Sequence, residues 1–308
     1  MANTSGTAAF NLDLNELVED AFERCGAELR TGYDLRTARR SMNMLTIEWA
    51  NRGINLWTIE QGQIVMNTNQ IQYSIPNDTI DILDAVVRTG SGETQIDINI
   101  NRISESTYLT IPNKYAQGRP VQYWMNRQSG NVNATAATLN GPILAGDTTI
   151  PVNNVSDLAT SGFINIDAET IAYQNVDSVN GLLLNCFRGQ NNTVAAGHSN
   201  LAPIYANNLT SFNVYPAPNA PGSQYTLVYY RMRRIQDAGN GATIQDIPFR
   251  LIPAMVAGLA FYLSQKIPGA QERMQWLKAE YEQQWQLAST EDRDKSADRY
   301  VPRNMLYA

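Results

Sequence analysis

Apolar residues recur at helical spacing near both ends of the chain and alternate at strand spacing through its middle. From Asp13 onward, Leu14, Leu17, Val18, Ala21, Phe22, Cys25 and Leu29 share one helical face, and Asp13 with Glu16 forms an Asp-x-x-Glu capping box. Glu16, Glu19 and Asp20 add negative charge where the helix dipole is positive, so the pattern predicts a helix over about 13–30. Gly32 breaks it, and a second helix is expected over about 35–51, burying Ala38, Met42, Leu45 and Trp49 and capped by Gly53. Two helices so closely joined are expected to pair as an antiparallel hairpin. Toward the other end, Ile247 to Lys266 carries Pro248 in its first turn and is apolar over much of its circumference, which predicts a helix buried on several sides. Pro268-Gly269 turns the chain, and Gln271 to about Ser289 returns with Met274, Leu277, Tyr281 and Trp285 at helical spacing.

Between the helical ends the period falls to two. Leu56 to Glu60, Gln63 to Met66, Ile71 to Ile75 and Ile80 to Arg88 read as strands, with turns at Pro76-Asn77-Asp78 and Gly90-Ser91-Gly92. Ile103 to Leu109 reads as a short helix, and Pro120 to Arg127, Ser211 to Tyr215 and Gln224 to Arg233 as further strands. From about Gln128 to Asn208 charges become rare, and GDTTIPV, GFINID, TIAYQNV and LLLNCFRG form closely spaced strands of a small β module. Its flanks, VQYWMNR and LTSFNVYPAP, read as two arms of one hairpin whose turn the module replaces, so the module is expected to project outward and to be removable.

The expected fold is therefore α+β: a helical body of two α-hairpins with a small β-sheet, plus an inserted all-β module. Residues 1–127 and 209–290 form the body and 128–208 the module. Residues 291–308, charged and then scattered with apolar side chains, form a flexible C-terminal tail.

Composition narrows the function. The chain has 308 residues and a formal net charge of -6, which disfavours tight wrapping of nucleic acid, because phosphate binding needs a surplus of Lys and Arg. No apolar run approaches the ~20 residues of a membrane span. Two cysteines, Cys25 and Cys186, and an N-terminus without a basic or apolar leader pattern suit synthesis in a reducing cytoplasm. A single histidine, His198, precludes a multi-histidine metal site, and no cofactor or metal is expected.

Candidate chemistry is sparse. His198 reads as a structural hydrogen-bonding residue in a loop, since no Ser or Cys elbow accompanies it. Asp167 and Glu169 flank a hairpin turn, IDAET, and read as a solvated turn rather than an acid–base pair. The strand YTLVYYRMRR mixes aromatic and basic residues, yet its alternation matches ordinary sheet packing. Arg36, Arg39 and Arg40 stand early in the second helix, against its dipole, and so must gain something elsewhere. A solvated face and an intersubunit or partner contact are both open for them.

The order of helical hairpin, β middle, second helical hairpin and tail resembles the head-to-tail adaptor (connector) proteins of short-tailed phages, the group of tail accessory factors and tail tubular proteins. DLRTARRSMNMLTIEWANRGINLWTIEQ, YSIPNDTIDILDAVVR, FNVYPAPNAPGSQYTLVYYRMRR and IPFRLIPAMVAGLAFYLSQKIPGAQERMQWLKAEYEQQW carry the likeness over most of the chain outside the module. The module, through GFINIDAETIAYQNV and FRGQNNTVAAGH, resembles a small β unit of phage tail proteins. The resemblance implies a non-enzymatic virion protein, made in the host bacterial cytoplasm and placed in the neck. It would form a dodecameric ring below the portal protein, extend the DNA channel without specific DNA binding, and dock the tail nozzle protein, with no membrane partner. It also implies portal contact by the C-terminal extension, where Tyr300, Val301, Met305, Leu306 and Tyr307 are the apolar anchors. The alternatives are a tail protein that binds host-surface glycan through the β module, and a peptidoglycan hydrolase.

Overall fold

The computed structural model describes residues 6, 10, 12–30, 32–53, 56–220, 224–240 and 242–291. The chain divides into two compact units, 1–58 with 234–308 and 59–233. The α-helices among the described residues are α1 (Leu14–Cys25), α2 (Gly32–Arg52), α3 (Glu105–Leu109), α4 (Ile252–Ser264) and α5 (Met274–Glu291).

The first unit holds α1, α2, α4 and α5. The capping box forms: the Glu16 amide donates to Asp13 Oδ1 and the Asp13 amide to Glu16 Oε2, both at 2.9 Å. The helix stops at Cys25 rather than near Arg30, because Gly26 takes a left-handed φ of 75° and its amide turns back to the Glu23 carbonyl. Only glycine adopts that geometry without a Cβ penalty. Gly32, expected to lie outside a helix, opens α2.

Helix α4 is buried almost throughout and forms the centre of this unit, with α1, α2 and α5 packed on it. At Gly258 a Cβ would fall 2.8 Å from the Leu45 side chain and 2.9 Å from the Tyr281 ring, so the glycine lets α2 and α5 close on α4. Helices α4 and α5 form the expected hairpin. The expected α1–α2 hairpin does not form: the two touch each other little, since the all-round apolar surface of α4 offers each more burial than the other helix does. Helix α5 is tied to both. Arg24 of α1 reaches Glu280 at 2.9 Å, while on the α2 side Trp49 Nε1 donates to Tyr281 Oη at 3.0 Å and Arg52 pairs with Glu282 at 2.8 Å.

The second unit is β structure. In chain order its strands are β1 (Ile59–Val65), β2 (Gln72–Ser74), β3 (Thr79–Thr89), β4 (Ile96–Asn99), β5 (Asn101–Arg102), β6 (Gln117–Gly118), β7 (Gln122–Asn126), β8 (Val132–Thr138) and β9 (Ile150–Pro151). They continue as β10 (Gly162–Ile166), β11 (Glu169–Tyr173), β12 (Asn175–Asp177), β13 (Leu182–Leu184), β14 (Phe187–Gln190), β15 (Pro203–Asn207), β16 (Ser211–Tyr215), β17 (Ala217–Pro218) and β18 (Thr226–Arg233). Two four-stranded sheets, β1-β18-β3-β4 and β2-β16-β7-β5, enclose one core, in which Phe212 meets Tyr229 edge-on at 5.1 Å between ring centroids. On β18, Leu227 and Tyr229 enter that core and Arg231 is buried against Asp78 and Glu60, which is the sheet packing expected of this strand.

The expected helical body with a small sheet is thus incorrect. Among the described residues there are 18 strands in five sheets against five α-helices, and the sheet assigned to the helical body is a sandwich in a separate unit. The underestimate has a physical source. Strands β4, β5, β6 and β17 are two to four residues long, too short to display a period, and β1 pairs with β18 across nearly the whole of the unit.

Within the second unit, the flanks of the insertion do pair: Gln122–Asn126 and Ser211–Tyr215 form an antiparallel ladder ending at Asn126 opposite Ser211. The ladder direction continues into β8 and β15, where Val132 faces Asn207. Residues 132–207 then build a five-stranded sheet, β14-β11-β10-β15-β8, and a three-stranded one, β12-β13-β9, around their own core of Ile150, Ile164, Ile166, Ile171 and Leu183. The module does not simply project. Gln174, buried, accepts from the Ile71 amide and donates to the Asn69 carbonyl, both at 2.8 Å, and its own carbonyl accepts from Tyr115 Oη at 2.5 Å. One amide side chain therefore clamps the module to the sandwich.

Candidate functional site

The densest chemistry lies in the module. The β10–β11 hairpin pairs Ile166 with Glu169 and turns through Asp167, whose φ of 50° is left-handed. Asp167 stays largely in water, but Glu169 opens β11 and is buried. Arg188 comes from β14, the neighbour of β11. His198 comes from the loop that follows and is held there by reciprocal backbone bonds with Ile143.

Glu169 is saturated. Oε1 accepts from Arg188 Nε and the Gly189 amide, each at 2.9 Å, and Oε2 accepts from Arg188 Nη2 at 2.7 Å and the Ala196 amide at 3.0 Å. His198 Nε2 lies 2.9 Å from the same Oε2, and Nδ1 lies 2.7 Å from Asp167 Oδ2. Both ring nitrogens thus face carboxylate oxygens, and both contacts are hydrogen bonds only when both nitrogens carry protons. Burial by itself pushes the Glu169 carboxyl up. Arg188, His198 and the two backbone amides outweigh that and hold it down to about 2. Arg188 also donates to the carbonyls of Ala196 and Leu144, which ties the 189–198 loop down.

The solvated-turn reading of Asp167 and Glu169 is corrected accordingly: Asp167 fits it and Glu169 does not. His198 makes structural hydrogen bonds. The signal that could have found the cluster is the single Arg188 inside an otherwise uncharged run, LLLNCFRGQNN, since a lone cation among apolar strands needs a buried anion. With both oxygens engaged, Glu169 fastens β11 to β14 and to the loop that follows it. Burial pushes the Cys25 thiol up to about 11 and Cys186 to about 12, so neither is a thiolate nucleophile at neutral pH. Among the described residues no group of three or more His, Cys, Asp and Glu side chains is placed to hold a metal ion.

A groove of about 590 Å³ in the second unit runs beside β1 and the Gly189–Asn192 turn, lined by amides such as Gln61, Gln63, Gln190, Asn191 and Asn192. Its rings, Tyr73 and Tyr229, are buried, so it offers no stacking platform for a sugar.

On the helical unit, α2 buries Ala38, Met42, Leu45 and Trp49 and leaves Tyr33, Arg36, Arg40, Met44 and Ile47 on the opposite face, at spacings of three and four residues. Tyr33 is 64% exposed, and Met44 and Ile47 are each 55% exposed. Arg39, between the two faces, is half-buried and its Nε has no hydrogen-bond partner. Tyr300, Val301, Met305, Leu306 and Tyr307 lie outside the described residues. Among the described residues no helix is long and apolar enough to cross a membrane. The chain matches no protein-family model and no curated protein at a significant level.

Proposed function

We propose that this chain is a structural virion protein, a head-to-tail adaptor that assembles as a ring below the portal, extends the DNA channel and docks the tail. The observation that carries the reading is the outward face of α2. Three large apolar side chains and two arginines are left in water opposite a fully packed face, and aromatic residues, Met and Arg are the side chains enriched in protein interfaces. The order of segments that resembles the adaptor group supports it. So does the engagement of Glu169, whose two oxygens are taken up by Arg188, His198 and two backbone amides. The portal contact is assigned to the C-terminal residues Tyr300 to Tyr307, and the net charge of -6 suits a channel through which DNA slides without adhering.

The test is electron microscopy of purified protein mixed with its cognate portal rings. A ring of added density on the portal is expected, and truncation after Thr290 should reduce its occupancy sharply while leaving the melting temperature unchanged. Portal particles that stay bare at micromolar excess of intact protein overturn the reading.

A further inference from the structure

The charges of the helical unit are not distributed at random. Arg24 and Arg52 of this unit hold a carboxylate oxygen at 2.9 and 2.5 Å, as Arg88, Arg188 and Arg231 do in the other unit. Arg36 and Arg40 have no such partner among the described residues, and Arg40 Nε donates only to the Arg36 carbonyl, at 3.4 Å. They are flanked along the same stripe by the exposed Tyr33, Met44 and Ile47.

Helix α1 presents the opposite sign. Glu16, Glu19 and Glu23 fall on its exposed face at spacings of three and four. Glu16 is used in the capping box, but Glu19 and Glu23 form no ion pair among the described residues, and their mutual repulsion at i and i+4 is unfavourable within the helix. Helices α1 and α2 scarcely touch, and α5 is tied to α1 through Arg24–Glu280 and to α2 through Arg52–Glu282, with α4 packed against all three. Within one copy no ion pair among the described residues joins Glu19 or Glu23 to Arg36 or Arg40.

We infer that a second copy of this chain covers them: Glu19 and Glu23 of one copy seat against Arg36 and Arg40 of the next, with Tyr33, Met44 and Ile47 as the apolar part of the contact. The inference rests on the ring reading above and names its lateral interface. A contact between two different patches can run head-to-tail from copy to copy, which is the arrangement a closed ring requires. Charge complementarity fixes the register, and the apolar residues supply burial.

Charge exchange tests it on the full-length chain. Arg36→Glu with Arg40→Glu gives one variant, and Glu19→Lys with Glu23→Lys gives a second. All four side chains are exposed, so both variants should keep the wild-type circular dichroism and melting temperature. Mass photometry, in solution and with portal rings present, reads the number of associated copies. Each variant alone should associate more than tenfold more weakly than wild type. An equimolar mixture should recover association, because each variant's intact or reversed face then meets an opposite charge. Variants that associate as wild type does, or a mixture that does not recover, overturn the inference while leaving portal binding by wild type intact. Wild-type protein that associates in this way but never joins the portal overturns the adaptor reading instead. Arginine-dependent capture of a fluorescent DNA duplex, without any change in self-association, would reassign the face to nucleic acid and also overturn it.

Discussion

Glu169 shows how one side chain can be expensive to bury and still hold a structure together. Its five donors come from β14 and from the loop after it, which carries Ala196 and His198, so it fastens to β11 a loop that the β11–β14 ladder does not include. Removing one partner of such a buried cluster leaves an uncompensated charge, and Glu169→Gln should cost about 3–5 kcal/mol of stability at neutral pH. The pH dependence follows from the same contacts. With its carboxyl held at about 2 in the folded chain against 4.5 ordinarily, the unfolded chain binds more protons between those values. The stabilisation from Glu169 is complete above about pH 4.5 and is lost as the pH falls toward 2. Thermal melts of wild type and Glu169→Gln should therefore converge over that interval. Curves that remain parallel down to pH 2 would show that Glu169 is not the group responsible.

At the scale of elements, what decides position is burial that local periodicity does not encode. Helix α1 was legible because Asp13, Glu16 and the apolar face from Leu14 to Cys25 all lie within four turns, and α4 because its apolar circumference has no other use. That α1 packs on α4 rather than on α2 was not legible, since it depends on a segment more than 200 residues away. The same holds for the clamp at Gln174, a glutamine in a polar-looking stretch whose partners are the backbone of Asn69 and Ile71. Of the candidate site, the residue types were legible in IDAET and His198, but the burial of Glu169 was not, because it needs Arg188 brought alongside by the β11–β14 pairing. The clamp makes its own prediction. Gln174→Ala should leave the module core folded while the Ile71 amide, held at 2.8 Å in the wild type, loses its exchange protection. Hydrogen exchange resolved to single amides reads this directly. Unchanged protection at Ile71 would mean that the module is held to the sandwich by its other contacts alone.

For the whole molecule, the two β cores of the second unit are separate in composition. No residue of 128–208 enters the sandwich core around Phe212 and Tyr229, and every residue of the module core lies between Ala137 and Ile204. The ends of the insertion are bonded to each other, Gly130 to the Asn208 carbonyl at 2.7 Å and Asn208 to the Asn131 carbonyl at 3.0 Å, so the host hairpin receives a closed connection. Leu209 is the exception, a host residue that packs on Phe163 and Ala172 of the module. Deleting 128–208, closing the arms with a short Gly-containing turn and changing Leu209→Ser should therefore leave the sandwich folded. The groups released by Gln174, the Ile71 amide and the Asn69 carbonyl, would become exposed to water instead of being left unpaired in the interior, so their loss costs little. A soluble product with cooperative unfolding and wild-type near-ultraviolet circular dichroism is expected. On the adaptor reading it should still join the portal, because the portal contact is assigned to the C-terminal residues and the contact between copies to α1 and α2, all outside the deleted segment. A deletion product that unfolds would show that the sandwich depends on the module. One that folds but leaves the portal bare would move the assembly surface from the helices to the module.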